Sequence, residues 1–455
     1  MKQKKFNWVK QLFLYGLMGF VAFSCQKKDD TIQTYQVTIK LVYPGNYQPQ
    51  AGVDVKLTNT ITSVSFDSQT DANGAATFEV AAGTYMAMAT ESRTVDLQVV
   101  LFNGSSNIVV TDPWAGTPVE LTLAESTTNQ VVIKELYVGG CQKDDGSGTF
   151  QRDPYVILYN NSSEPATLNN VCLGMVYPFN SNGTNYDYTD GTNLLYASEN
   201  WIPAGCGIWV FQQPVTIDAG KQIVIALENA VDNTQTYSQS INFSNPDYYC
   251  AYDIDVFPNV TYYPAPSPAI PTSHYLKAYF YGSGNAWAMS VTSPAFFIFE
   301  TKGTTPATFA NDGVFNYYQN NSSLALNNRK KVPVDWIIDG IEVFVYNNAA
   351  NHKRLTANVD AGDVELANTY GFTLYRNVDK AATEAIPENA GKIVYGYSLG
   401  TKGITTSDGQ VINGTTDPSG IDAEASIKNG ARIIYQDTNN STNDFHQRSK
   451  ASLRN

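Results

Sequence analysis

Gly396-Tyr397-Ser398-Leu399-Gly400 is the segment whose spacing comes nearest to a nucleophile site. A serine in a G-x-S-x-G turn sits on a sharp bend between a strand and a helix, and Asp408 and His446 follow in the order in which an acid and a base would complete a relay. The context argues against that chemistry. Thr401 to Ser407 (TKGITTS) is rich in Gly and β-branched residues, which read as turn and strand where the motif requires a helix. Ser398 is therefore expected at a strand edge, no catalytic residue is assigned, and the chain is not expected to be an enzyme.

Other reactive groups lack a pattern. Asp253 with Asp255, and Asp187 with Asp190, could serve glycoside hydrolysis or calcium, but folding sets the separation of such carboxylates, and they read as solvated loop acids. His274, His352 and His446 have no ligand spacing and H-E-x-x-H is missing, so neither a metal nor a cofactor is expected. Cys141, Cys172, Cys206 and Cys250 show no CxxC or Cys-His spacing of a zinc site. In an oxidising compartment they could form two disulfides in any of three pairings, or remain buried thiols, and the sequence leaves these alternatives open.

The densest chemical feature is aromatic. Between Tyr248 and Phe299 lie Tyr249, Tyr252, Phe257, Tyr262, Tyr263, Tyr275, Tyr279, Phe280, Tyr281, Trp287, Phe296 and Phe297, interrupted by the Pro-rich run Tyr263 to Pro271. Neighbouring residues on a strand point to opposite faces. One ring of each adjacent pair, Tyr248-Tyr249, Tyr262-Tyr263 and Phe296-Phe297, should therefore leave the inner face unless a second layer covers it. A Tyr buries much area for little entropy and carries a hydroxyl, so Tyr249, Tyr262 and Tyr263 are the candidate binding surface.

The elements that must position these groups are strands. Only 16% of the 455 residues are charged, 43% are hydrophobic, and Tyr alone numbers 29, a composition for sizeable β-structured cores. Val37, Ile39 and Leu41, then Val53, Val55 and Leu57, alternate with polar neighbours as half-buried strands do. Asp360 to Asn368 and Lys380 to Asn389 are expected as short helical turns, and Glu125 to Asn129 as a polar linker. The net charge of −13, with no compensating basic stretch, excludes nucleic acid as a partner.

The N-terminus points to export. Lys2, Lys4, Lys5 and Lys10 flank an apolar run from Leu12 to Phe23, too short to span a bilayer, which marks residues 1–24 as a signal peptide. Ala22-Phe23-Ser24-Cys25 resembles the lipobox of bacterial lipoproteins, which implies lipidation at Cys25 and a tether over 25–34. Gln26-Lys27-Lys28-Asp29-Asp30 resembles the tag of surface-exported lipoproteins of a Gram-negative phylum of gut anaerobes, implying an outer-membrane protein that faces the cell exterior.

Asp71-Ala-Asn73-Gly74, Phe78 and Ala82-Gly83-Thr84-Tyr85 resemble the carboxypeptidase regulatory-like, or transthyretin-like, domain, which implies a non-enzymatic β-sandwich over 35–124. Val131 to Val138 and Tyr155 to Leu168, with Trp336 to Val343 and Gln436 to Phe445, resemble the lamin-tail-like domain over 130–455. The expected fold is thus all-β, two immunoglobulin-like sandwiches in tandem with long insertions in the second, from an uncharacterised family of envelope lipoproteins. The implied function is a cell-surface, non-catalytic accessory that binds a ligand or partner, an outer-membrane transporter of a TonB-dependent uptake system. A surface adhesin or structural envelope protein is the alternative, and a secreted hydrolase ranks below both.

Overall fold

The computed structural model describes residues 33–454, apart from 46, 63, 96–97, 189–193, 319–327, 398–399 and 407–408. The expected signal peptide, the expected lipidation site Cys25, the expected tag, and Asp190, Ser398 and Asp408 lie outside the described residues. The described chain is nearly all β, and its contacts divide it into one unit of residues 33–90 and 103–123 and a second of 91–102 and 124–454.

In the first unit, Thr34–Val42 lies between Ala75–Ala81, antiparallel, and Val119–Thr122, parallel. Its alternation buries Val37, Ile39 and Leu41 opposite Phe78, Ala76 and Leu121. Asp54–Asn59 pairs with Ser65–Gln69 and with Gly83–Val95 in a second sheet and adds Val55 and Leu57 to the core. The turn read at Asp71 is held by its carboxylate, which accepts the backbone N–H groups of Asn73 at 2.8 Å and Ala75 at 3.0 Å. Those bonds lower the Asp71 pKa. Gly74 follows at φ +75°, where a Cβ would stand 2.8 Å from Pro49 Cβ, so only glycine fits. Residues 125–129 are not a linker. They lie within the strand Ala124–Asn129, since a Thr-rich sequence suits a strand as well as a spacer.

The second unit is organised by a 12-stranded sheet. Its order is Val364–Leu366, Ile337–Val345, Ala295–Glu300, Val171–Met175, Gly207–Val210, Tyr275–Phe280, Tyr249–Ala251, Gln222–Ala226, Tyr155–Asn160, Val131–Tyr137, Thr373–Arg376 and Phe445–Arg448. Both halves feed one inner core, which holds Leu173, Trp209, Phe296, Ile298 and Ile341 from one and Ile133, Val156, Leu158, Ile225 and Leu374 from the other. The sheet therefore folds over as the two layers of a sandwich. The opposite face is covered too. Cys172, Ile208, Val210, Phe297 and Phe299 pack under Trp201, Ile202 and Val332 of the smaller sheet Trp201–Gly205, Asn328–Pro333 and Asn316–Tyr318.

This second layer decides the fate of the paired rings: Phe296 and Phe297 point to opposite faces and both are fully buried. Within 360–368 the chain forms the strand Val364–Leu366 beside Ile337–Val345, because burial of Val364 and Leu366 prevails over a weak helical pattern. Lys380–Glu384 is helical as expected, capped by Asp379, and Pro387–Asn389 makes a further short helical turn.

Candidate functional site

The groups flagged for chemistry are mostly committed to the fold. His446 is buried and its Nδ1 donates to Asn377 Oδ1 at 2.8 Å. Burial, with the Arg448 charge behind it, pushes its pKa down to about 3, so the ring is neutral. Asp187 is buried and accepts from Arg329 Nη1 at 2.7 Å and Tyr317 Oη at 2.6 Å. Asp253 Oδ2 accepts from Lys277 Nζ at 2.8 Å and the Ala278 N–H at 3.1 Å. None of the four cysteines Cys141, Cys172, Cys206 and Cys250 is paired, and burial pushes the Cys141 and Cys206 thiols up to about 12. Of the alternatives left open by the sequence, the structure thus has the thiols. Among the described residues no group of three or more His, Cys, Asp or Glu could hold a metal.

The three tyrosines of the expected binding surface part company. Tyr263 is core: it is 1% exposed, packs against Trp209 and Phe257, and its hydroxyl donates to the Trp287 carbonyl at 2.6 Å. The turn at Asn259, whose carbonyl accepts the Tyr262 and Tyr263 N–H groups, carries the ring into the inner core, so it presents nothing to a partner, which corrects its place in the surface. Tyr262 is half-buried and lies 3.5 Å beneath the Arg152 guanidinium. That guanidinium contacts the buried Glu228 carboxyl group at 3.3 Å, so Tyr262 covers an internal polar contact. Tyr249 alone opens onto a hollow.

That hollow is one of two on either side of the loop Phe211 to Pro214 (FQQP). The strand Gly207–Val210 is fully buried until Val210, where the chain turns out and Gln212, Gln213 and Pro214 become exposed. On the adjoining strand Tyr275–Phe280, Leu276 and Ala278 face the inner core, leaving Tyr275, Lys277 and Tyr279 on the other side. The helix Pro306–Asn311, started by the Thr305 cap and Pro306, closes the far wall with Pro306 and Ala307. One hollow, about 510 Å³, is lined by Asn169, Asn170, Phe211, Gln213, Lys277 and Tyr279 among others. Its size is that of a small-molecule site, about 300–1,000 Å³. The other, about 180 Å³, is lined by Phe211, Gln212, Tyr249 and His274.

The walls are ordered. Tyr249 stacks on His274 with centroids 4.1 Å apart and planes 17° from parallel, and Phe211 meets Tyr249 edge-on at 5.4 Å. His274 Nδ1 bonds the Tyr248 carbonyl at 3.1 Å, and Gln212 Nε2 donates to the Tyr275 carbonyl at 2.7 Å. Asn170 sits at φ +54°, a conformation asparagine tolerates, and so presents its turn to the larger hollow. Lys277 is the one Asp, Glu, Lys or Arg described in either lining, and Asp253 neutralises it while raising its pKa.

A larger hollow of about 720 Å³ adjoins His446, and several side chains of its wall are bonded within the fold. Asn377 bonds His446 and the Asn443 carbonyl, and Gln447 bonds the Ala367 N–H and the Asn413 carbonyl. The FQQP grooves keep exposed amides and aromatic faces, and they are the candidate site.

Sequence reasoning reached Tyr249 and named Tyr279 and His274 without joining them. It missed Phe211, Gln212, Gln213 and Asn170. The available signal was an amide pair ahead of a proline, directly after an apolar strand.

Residues 218–396 match the family model DUF4876, described as a protein of unknown function. Tyr249, His274, Lys277, Tyr279 and Pro306 fall inside the DUF4876 match, whereas Phe211 to Pro214 precede it. A crystal structure of a DUF4876 family protein from Bacteroides thetaiotaomicron is 18% identical and superposes with a TM-score of 0.53 over 90% of this chain and 94% of that one. At that identity the likeness concerns the fold. A DUF3823 family protein from Parabacteroides merdae is 14% identical over 31% of this chain and 66% of that chain, with a TM-score of 0.16. The major pilin subunit of Bacillus cereus is 11% identical over 74% and 99%, with a TM-score of 0.18, and neither of these two bears on the argument. No protein with curated annotation matches the sequence.

Proposed function

We propose that the protein is a lipid-anchored, non-catalytic binding protein on the outer face of the outer membrane, which captures a ligand for a TonB-dependent transporter. The observation that carries the capture is the pair of hollows about Phe211 to Pro214, open to solvent and walled by aromatic faces and exposed amides. The anchor rests on Ala22-Phe23-Ser24-Cys25, and display on Lys27, Lys28, Asp29 and Asp30. Several acyl chains on one cysteine, at about 0.8 kcal/mol per buried CH₂, hold such a body at a membrane without a spanning helix. In this reading residues 35–124 are a carboxypeptidase regulatory-like spacer and 130–455 a lamin-tail-like sandwich that bears the site. The test feeds a labelled fatty acid to cells producing the protein or Cys25→Ala and then applies protease to intact cells. The wild-type protein should be labelled and digested, and the variant unlabelled. Label on the variant, or protection of the wild-type protein, would overturn the reading.

A further inference from the structure

We infer that the FQQP grooves bind a neutral carbohydrate, an inference that rests on the capture reading and gives its ligand a chemistry. Although the whole chain is strongly acidic, Lys277 is the one fully charged side chain described in the two linings, and the Asp253 carboxylate sits 2.8 Å from its ammonium. An anionic or cationic ligand would lose water there without gaining an unpaired countercharge. The other polar groups are amides and hydroxyls: Asn169, Asn170 and Gln213 about the larger hollow and Ser273 about the smaller, while Gln212 Nε2 and the Thr305 hydroxyl are held by the Tyr275 carbonyl and the Thr308 N–H. An amide both donates and accepts, the complement of a hydroxyl that does the same.

The apolar part of the lining is flat. Tyr279 on one side of the loop, and the Tyr249–His274 stack with Phe211 against its edge on the other, present rings to solvent-accessible space. A pyranose has a face of C–H groups that lies on such a ring and a rim of hydroxyls that reaches the flanking amides. A peptide would instead look for unpaired backbone groups along a strand edge, but Tyr275–Phe280 is paired on both sides in the sheet. Two hollows meeting at one loop suit an oligosaccharide better than a single sugar.

The purified full-length protein in detergent is titrated calorimetrically with neutral oligosaccharides (gluco-, manno-, xylo- and galacto-hexaoses), with oligogalacturonate and sulfated oligosaccharides, and with a mixed peptide library. At least one neutral oligosaccharide should bind, with an affinity little changed between 50 and 500 mM salt. Tyr249→Ala and Tyr279→Ala should each weaken it by at least about tenfold. Gln213→Ala, an exposed change that leaves the fold intact, should weaken it measurably, and all three variants should remain lipid-labelled and surface-displayed. Absence of binding by every neutral oligosaccharide, binding of only charged sugars or peptides, or affinity unchanged in Gln213→Ala and Tyr279→Ala would overturn the inference. Because labelling and display are read on the same proteins, its failure is distinct from failure of the anchored-capture reading.

Discussion

Replacing Tyr263 separates the aromatic residues that build this protein from those that face a ligand. Its ring is enclosed by Trp209 at 5.6 Å and Phe257 at 5.9 Å, and its hydroxyl bonds the carbonyl of the buried Trp287. Truncating a buried aromatic to Ala costs about 3–5 kcal/mol, because the cavity collapses only in part. Tyr263→Phe keeps the ring but leaves that carbonyl unpaired, at about 1–3 kcal/mol. With an unfolding entropy of roughly 2.1 cal/mol/K per residue, a unit of more than three hundred residues changes by roughly 0.7 kcal/mol per degree. Tyr263→Ala should thus lower the Tm of the second unit by about 4–7 °C and Tyr263→Phe by about 1.5–4 °C. Tyr249→Ala, at a half-buried ring open to the hollow, should lower it by less than about 2 °C. Scanning calorimetry of the three variants reads these shifts directly. A Tyr263→Ala protein that melts within a degree of wild type, or a larger fall for Tyr249→Ala, would refute the division into core and contact rings.

The remaining expectations concern buried ionisable groups. Burial lifts the Glu228 carboxyl to about 8 despite Arg152, so the native state holds a proton that the unfolded chain has released. That stabilisation is complete below the unfolded pKa and is lost as pH rises through the native one. Between pH 7 and 9, above the range in which the unfolded-state protonation of His446 matters, Glu228 alone should lower stability by about 1.4 kcal/mol on top of the fall from the buried thiols, and Glu228→Gln should make the slope shallower by that amount. A wild-type Tm that is constant or rises over this interval would contradict the assignment. Cys141 and Cys206, with thiols pushed up to about 12, and the buried Cys172 and Cys250 should resist iodoacetamide at pH 8 in the native protein and react in denaturant. Mass spectrometry showing rapid native labelling, or disulfides in place of thiols, would refute this.

The strand alternation of Val37, Ile39 and Leu41 and the Asp71–Gly74 turn were legible because they are set by neighbours in sequence. The fate of Phe297 and Tyr263 was not: Phe297 is covered by a second layer that includes Trp201, far along the chain, and Tyr263 is drawn into the inner core beside Trp209 and Trp287. The polar core was equally hidden. Arg354 donates from Nε and Nη2 to Glu342 Oε1 at 2.9 and 2.7 Å, with both residues fully buried, yet each looks like an ordinary surface charge in sequence. The groove fell between these cases: its aromatic residues were named, but their union with Gln212 and Gln213 follows from the pairing of Gly207–Val210 with Tyr275–Phe280.

The folding-over of the sheet also fixes an order of events. The Ile133 N–H donates to Asp339 at 2.6 Å, Arg376 Nε donates to the Ile133 carbonyl at 2.7 Å, and Arg376 also contacts Asp339. The first of these bonds closes a loop of 206 residues and the second one of 243. The edge strand Phe445–Arg448 and the bonds from Ser452 to Glu135 come from the last residues described. Long-range pairings of this kind fold slowly, because loop-closure entropy is spent before the contacts that reward it can form. The strand Val131–Tyr137 gains one neighbour, Tyr155–Asn160, soon after it is made, but its other edge stays unpaired until Thr373–Arg376 has emerged, more than two hundred residues later.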